Sequence, residues 1–174
     1  MKDSMKKALL TLASMIFAGL TLVFFAVPNI YIGDGENTLE WSGFDFYESG
    51  TDFMKAMLII TCIFVGLTIL LGIVKVLTDS KLVSNKKVSK IINTLFIISA
   101  LGTLIFAVLY CISVGARCAD TTIDSGILDD WFGIGDVETF KPTIWALVLM
   151  SIFGVLSFLS GLFSLSSNGK KKKK

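Results

Sequence analysis

The sequence predicts an all-α integral membrane protein, a bundle of four transmembrane helices with both termini cytoplasmic and two acidic extracytoplasmic loops. Three observations predict it. The 174 residues are 53% hydrophobic and only 17% charged, with a mean hydropathy of +0.76, which lies outside the range of a soluble globular domain. Four apolar runs, Ala8 to Val27, Ala56 to Val74, Ile91 to Ala116 and Thr143 to Leu165, contain no Asp, Glu, Lys or Arg. Finally, the basic and acidic residues sort into alternate connections between those runs.

Each run approaches or exceeds the roughly 20 residues a helix needs to cross the ~30 Å hydrocarbon core. The expected organisation is one four-helix domain over residues 1–174, with spans at about 8–27, 55–77, 91–116 and 142–165. Outer loops then occupy 28–54 and 117–141, an inner loop 78–90, and a polybasic tail 167–174. The first run follows Lys2, Lys6 and Lys7, so a secretory signal is the competing reading. Its apolar length exceeds a signal core of about 7 to 15 residues and no Ala-x-Ala pattern precedes Pro28, which favours an uncleaved span.

Charge gives the orientation. The N-terminal segment, the inner loop and the tail hold thirteen lysines against two acids, a net of +11. The two other connections hold Lys55, Arg117 and Lys141 against twelve acids, a net of −9. Basic residues in short connections are retained on the cytoplasmic side during insertion, so all three lysine-bearing segments are expected inside. The tail lysines Lys170, Lys171, Lys172, Lys173 and Lys174 are either a solvated end without a role or a contact to anionic lipid on the cytoplasmic face, which attracts basic residues by roughly 1 kcal/mol each.

The first outer loop carries six acids and no base between Gly33 and Asp52. Leu39 and Trp41 alternate with Glu40 and Ser42, and Phe44 and Phe46 alternate with Gly43 and Asp45, which suggests a short β-hairpin with Ser-Gly between its runs. Glu40, Trp41, Asp45 and Glu48 are its candidate contact residues, and the plainer reading is a lid over the bundle. Asp34-Gly35-Glu36-Asn37 invites a calcium reading, but the ligand order and terminal glutamate of an EF-hand are missing. In the second loop, Ile123, Ile127, Leu128, Trp131 and Phe132 fall at helical spacing with Thr121 and Asp124 as a cap. A short interfacial helix follows, with Asp129, Asp130 and Trp131 as contact candidates. Trp41-Ser42-Gly43-Phe44 and Trp131-Phe132-Gly133-Ile134 occupy corresponding places, so the two hairpins are either an old duplication or a chance likeness.

Within the spans, small residues should line the helix contacts, because lipid gives apolar side chains little reason to associate. Ser99, Thr103, Ala107, Cys111 and Gly115 recur every four residues along one ridge. Gly154 and Gly161 with Ser157 and Ser160, Ser14 with Ala18 and Gly19, and Cys62 with Gly66 supply the other spans. These faces meet the bundle interior or a neighbouring copy. Cys62 and Cys111 act as small apolar residues, and Cys118 is expected at or just beyond the outer interface as a free thiol or an intermolecular bridge.

The sequence has no histidine, no Cys-x-x-Cys and no phosphate-binding glycine loop, which argues against common acid–base, zinc and nucleotide chemistry. Lys55 and Lys75 flank the second span and are expected to snorkel to opposite interfaces; Asn93 is expected as a solvated cap. No cofactor and no nucleic acid is expected.

The topology resembles that of claudin-type and tetraspanin proteins, and Trp41-Ser42-Gly43-Phe44 is similar to the aromatic-glycine signature of the claudin first loop. The cysteine pair of that loop and the Cys-Cys-Gly of tetraspanins are absent, so the resemblance covers topology and implies no activity. The expected function is that of a non-enzymatic interaction or accessory protein of a cell envelope, bacterial by preference and of the endoplasmic reticulum in a eukaryotic host. Its partners would be the bilayer and either further copies or another membrane protein. The alternative is a channel or transporter subunit whose outer acidic loops attract cations.

Overall fold

The computed structural model describes residues 3–32, 39–45, 51–79, 86–121 and 140–166. The four apolar runs form helices α1 (Asp3–Val23), α2 (Asp52–Leu77), α3 (Lys86–Thr121) and α4 (Ile144–Ser166). All four are long and apolar enough to cross a membrane. Three short strands, β1 (Pro28–Ile32), β2 (Leu39–Ser42) and β3 (Phe140–Pro142), make an antiparallel sheet in the order β2-β1-β3. The expected all-α class describes the spans and misses this sheet.

Local chemistry sets the helix ends. α1 stops at Val23, short of the expected Val27, as Phe25 N–H turns to Leu22 O and Ala26 N–H to Val23 O, a tightening of the last turn. Pro28 then biases the residue before it toward extended backbone. α2 begins where Thr51 Oγ1 accepts the Met54 N–H at 3.3 Å, an N-cap. It ends where the Thr78 hydroxyl donates to Val74 O at 2.6 Å. α3 has 36 residues, or ~54 Å at ~1.5 Å each, so it outlasts its apolar run at both ends.

An apolar cluster of Phe25, Ile30, Met54, Met57, Leu58, Ala107, Tyr110, Val114, Cys118 and Met150 joins the end of α1, the start of α2, the end of α3 and the start of α4. The opposite ends of the same helices bring together Lys7, Lys75, Lys90 and Ser164. Consecutive helices therefore run in opposite directions. α1 and α3 each pack between α2 and α4. Because β1 pairs with both β2 and β3, the roots of both long connections lie at one end, the sheet end, with Lys55 and Lys141, and Lys7, Lys75 and Lys90 lie at the other.

Burial follows a lipid solvent. Leu70 is 62% exposed, Ile112 60% and Ile144 69%, whereas Thr11, Ser14, Thr21, Thr61, Thr68, Ser99, Thr103 and Ser157 are buried. In water this distribution would be inverted; against lipid chains an exposed Leu costs nothing and a buried hydroxyl can bond across helices. Ser14 Oγ donates to Ser157 O at 2.7 Å and Ser157 Oγ donates to Ser14 O at 2.9 Å, a reciprocal pair joining α1 to α4. Between α2 and α3, Thr68 Oγ1 lies 3.1 Å from Ser99 Oγ and 3.3 Å from Thr103 Oγ1. Each of the three hydroxyls also bonds a carbonyl of its own helix, so no lone buried donor is left.

Candidate functional site

The sheet end is built around β1. Its register pairs Ile30 with Trp41, Tyr31 with Glu40 and Ile32 with Leu39 on one side, and Ile30 with Pro142, Tyr31 with Lys141 and Ile32 with Phe140 on the other. The register slips at Asn29, between the Pro28–Ser42 and Ile30–Trp41 pairs. The alternation expected at Leu39 to Ser42 does form a strand, but its partner is Pro28 to Ile32 and not the run at Phe44. Residues Gly43 to Asp45 turn instead. Ser42 donates to Asp45 Oδ2 through both its backbone N–H and its hydroxyl at 2.7 Å, a side-chain closure of the kind that competes with strand pairing. Gly43 N–H donates to Phe25 O at 2.7 Å. A Cβ at Gly43 would lie 2.8 Å from Tyr110 Oη and 2.9 Å from Phe25 Cδ1, so this approach requires glycine.

Glu40 is exposed on β2, and Asp45 is exposed with its carboxylate engaged by the turn. Of the other contact candidates, Trp41 lies in β2 opposite Ile30. Glu48, Asp129, Asp130, Trp131 and Lys170 to Lys174 lie outside the described residues, as do the expected interfacial helix, the calcium segment and the second Trp-x-Gly tetrad. Beneath the sheet, Tyr110 Oη, Thr143 Oγ1 and both side-chain amide atoms of Asn29 are buried without a hydrogen-bond partner among the described residues.

Ser99, Thr103 and Ala107 of the expected ridge are buried, Cys111 is half-buried, and Gly115 is exposed with no atom within 4 Å of a built Cβ. The ridge thus enters the interior as far as Cys111, whose thiol donates to Leu147 O at 3.4 Å and accepts from the Ser151 hydroxyl at 3.5 Å. Gly154 and Gly161 are buried at close crossings: a Cβ would meet Leu104 Cα at 3.3 Å and Phe96 Cε1 at 3.3 Å respectively. Cys118 lies near the end of α3, which continues past it to Thr121, and it is buried in the apolar cluster.

The lysine end differs from the sequence reading in one decisive side chain. Lys75 does not snorkel outward: it is 1% exposed, and its ammonium donates to Asp79 Oδ2 at 2.7 Å. The pair borders a cavity of about 480 Å³ lined by Lys7, Ser89, Lys90, Asn93, Thr94, Ser164 and Leu165 as well. Asn93, expected as a solvated cap, is half-buried in that wall. The available signal was Lys75 and Asp79 at i,i+4, an interacting spacing on a helix, though in the weaker orientation with the cation first.

No group of three or more potential metal ligands occurs among the described residues. Chemically the site can hold an anion by charge and hydrogen bonds. Searched against known proteins, the chain matches no family model, no characterised protein and no solved structure.

Proposed function

We propose that this chain is a non-enzymatic membrane protein of the cell envelope, with both termini cytoplasmic, whose sheet-braced end presents its two acidic connections as one contact surface for a membrane-protein partner or a second copy. The observation that carries this reading is the β2-β1-β3 sheet, which ties the roots of both acidic connections together. Two independent loops would each have to be ordered on binding, at an entropic cost; a shared sheet reduces it. Two further facts support the reading. Lys7, Lys75 and Lys90 lie together at the opposite end, which is consistent with positive-inside insertion. And the buried Lys75–Asp79 salt bridge lies at the end of α2, while none of the four apolar runs carries the acid or base that a transported proton or ion needs as a resting charge.

The test is purification of the full chain, measurement of its oligomeric state, and ion flux in liposomes with and without Asp129→Asn and Asp130→Asn. A species without flux supports the contact role. Flux abolished by those neutralisations would replace it with the transport reading, and export of a reporter fused after Lys174 would overturn the orientation.

A further inference from the structure

We propose that the cavity at the lysine end is a binding site for a phosphate group, the chemistry offered by an anionic phospholipid headgroup or by a soluble phosphate compound. Its lining is basic: Lys75 and Lys90 stand against Asp79, two positive charges and one negative, and Lys7 borders the same space. A lysine ammonium has three donors, and Lys75 directs one of them at Asp79 Oδ2. The cavity therefore combines a buried cation with capacity to bond a further acceptor, and it is bordered by the Ser89 hydroxyl and the Asn93 amide. Thr94 and Ser164 also border it, but their hydroxyls donate to the carbonyls of Lys90 and Gly161 and so line the wall as acceptors.

Energetics ask for a second anion. Withdrawing an ammonium from water costs several kcal/mol, and a single carboxylate barely compensates for it. Here that carboxylate borders the same space as Lys90. A phosphate oxygen would offset the surplus charge while accepting the hydrogen bonds left over. The volume, about 480 Å³, falls within the roughly 300–1,000 Å³ of small-ligand sites.

The position favours the lipid as the source. Lys75 is in the last turn of α2 and Lys90 near the start of α3, the level at which a span meets the headgroups. Leu77, Val88 and Ile91 at the same end are exposed apolar side chains able to carry the acyl chains. Basic pockets between spans at that depth are where lipid phosphates bind.

The experiment uses the full chain in detergent, with thermal unfolding followed on adding phosphatidylglycerol, phosphatidylcholine or inorganic phosphate. Phosphatidylglycerol should stabilise it and phosphatidylcholine should not. Lys90→Gln, at the exposed rim, should weaken the apparent affinity about fivefold, from roughly 1 kcal/mol per basic residue, whereas Asp79→Asn should strengthen it. Opposite signs from two neighbouring substitutions separate an anion site from a merely structural cluster, in which both would weaken the protein alike. Equal protection by inorganic phosphate would support the same site with a soluble source.

A chain with Lys170 to Lys174 changed to Gln should keep the phosphatidylglycerol response and its dependence on Lys90; loss of the response in that chain would overturn the cavity as the site. So would equal responses to the two lipids, or indifference to Lys90→Gln. None of these readouts depends on which face of the membrane the lysines occupy, so failure here and failure of the proposed orientation are distinguishable.

Discussion

The two ends of the bundle are closed by different physics. At the sheet end, backbone hydrogen bonds across three strands lie over an apolar cluster that includes Phe25, Ile30, Tyr110 and Met150. At the lysine end no strand occurs among the described residues, and the helix ends meet around a buried ion pair with open volume beside it. The first closure is short-range and depends on shape; the second is electrostatic. The bundle therefore presents packed strands at one end and buried charge at the other.

That contrast is broken most sharply at Asp79. Removing one member of a buried pair leaves the other charge uncompensated, and such changes cost about 3–5 kcal/mol. Asp79 is 20% exposed, so Asp79→Asn should cost about 3 kcal/mol, the lower end of that range. Unfolding in neutral detergent should show the loss, and phosphatidylglycerol should recover more of it than it gives the unaltered chain. An unchanged midpoint would mean that Lys75 reaches water by another route.

The sheet end should fail by shape. Ala107 is fully buried in the apolar cluster on α3, and Ala107→Leu adds three carbons to a filled space, at about 1–3 kcal/mol. Salt and lipid composition should not alter that loss, in contrast to Asp79→Asn. A variant with unchanged detergent stability and oligomeric state would show that α3 does not use this ridge.

Between the ends, Thr68→Val tests the hydroxyl cluster on Ser99 and Thr103. Hydrogen bonds between spans average about 0.6 kcal/mol, and Ser99 and Thr103 keep their bonds to their own helices. The midpoint should fall by that small amount, well below the losses at either end; a loss above about 2 kcal/mol would make the cluster a cooperative network instead of three local bonds.

What was legible in the sequence follows the range of the interactions involved. The spans were legible because an apolar run needs only local composition. The sheet was half legible. Period two at Leu39 to Ser42 marks β2, but Pro28 to Ile32 reads as the start of the outer loop 28–54, and β3 is three residues that pair with β1 more than a hundred positions away. The burial of Lys75 was legible only as its i,i+4 spacing from Asp79, since a lysine closing an apolar run otherwise looks the same whether it turns outward to water or inward to a carboxylate. The burial of Cys118 was not legible for a related reason: Arg117 marks the end of the apolar run, not the end of the helix that carries it.

The smallest effect is expected under the sheet, and its sign is informative. Tyr110 packs against Phe25 with ring centroids 4.6 Å apart and planes tilted by 53°, while its hydroxyl is buried without a partner among the described residues. Deleting an unsatisfied buried group removes a desolvation penalty and leaves the packing in place, so Tyr110→Phe should be neutral or stabilise by up to about 1 kcal/mol. The same hydroxyl is the nearest obstacle to a side chain at Gly43, at 2.8 Å, with Phe25 Cδ1 and Phe25 O next at 2.9 and 3.0 Å. Gly43→Ala alone should therefore destabilise the sheet end, and less so in the Tyr110→Phe background. Because the Phe25 contacts persist, the rescue should be partial, and a double-mutant cycle with a coupling below about 0.5 kcal/mol would mean that the turn at Gly43 moves away from Tyr110 instead of pressing against it.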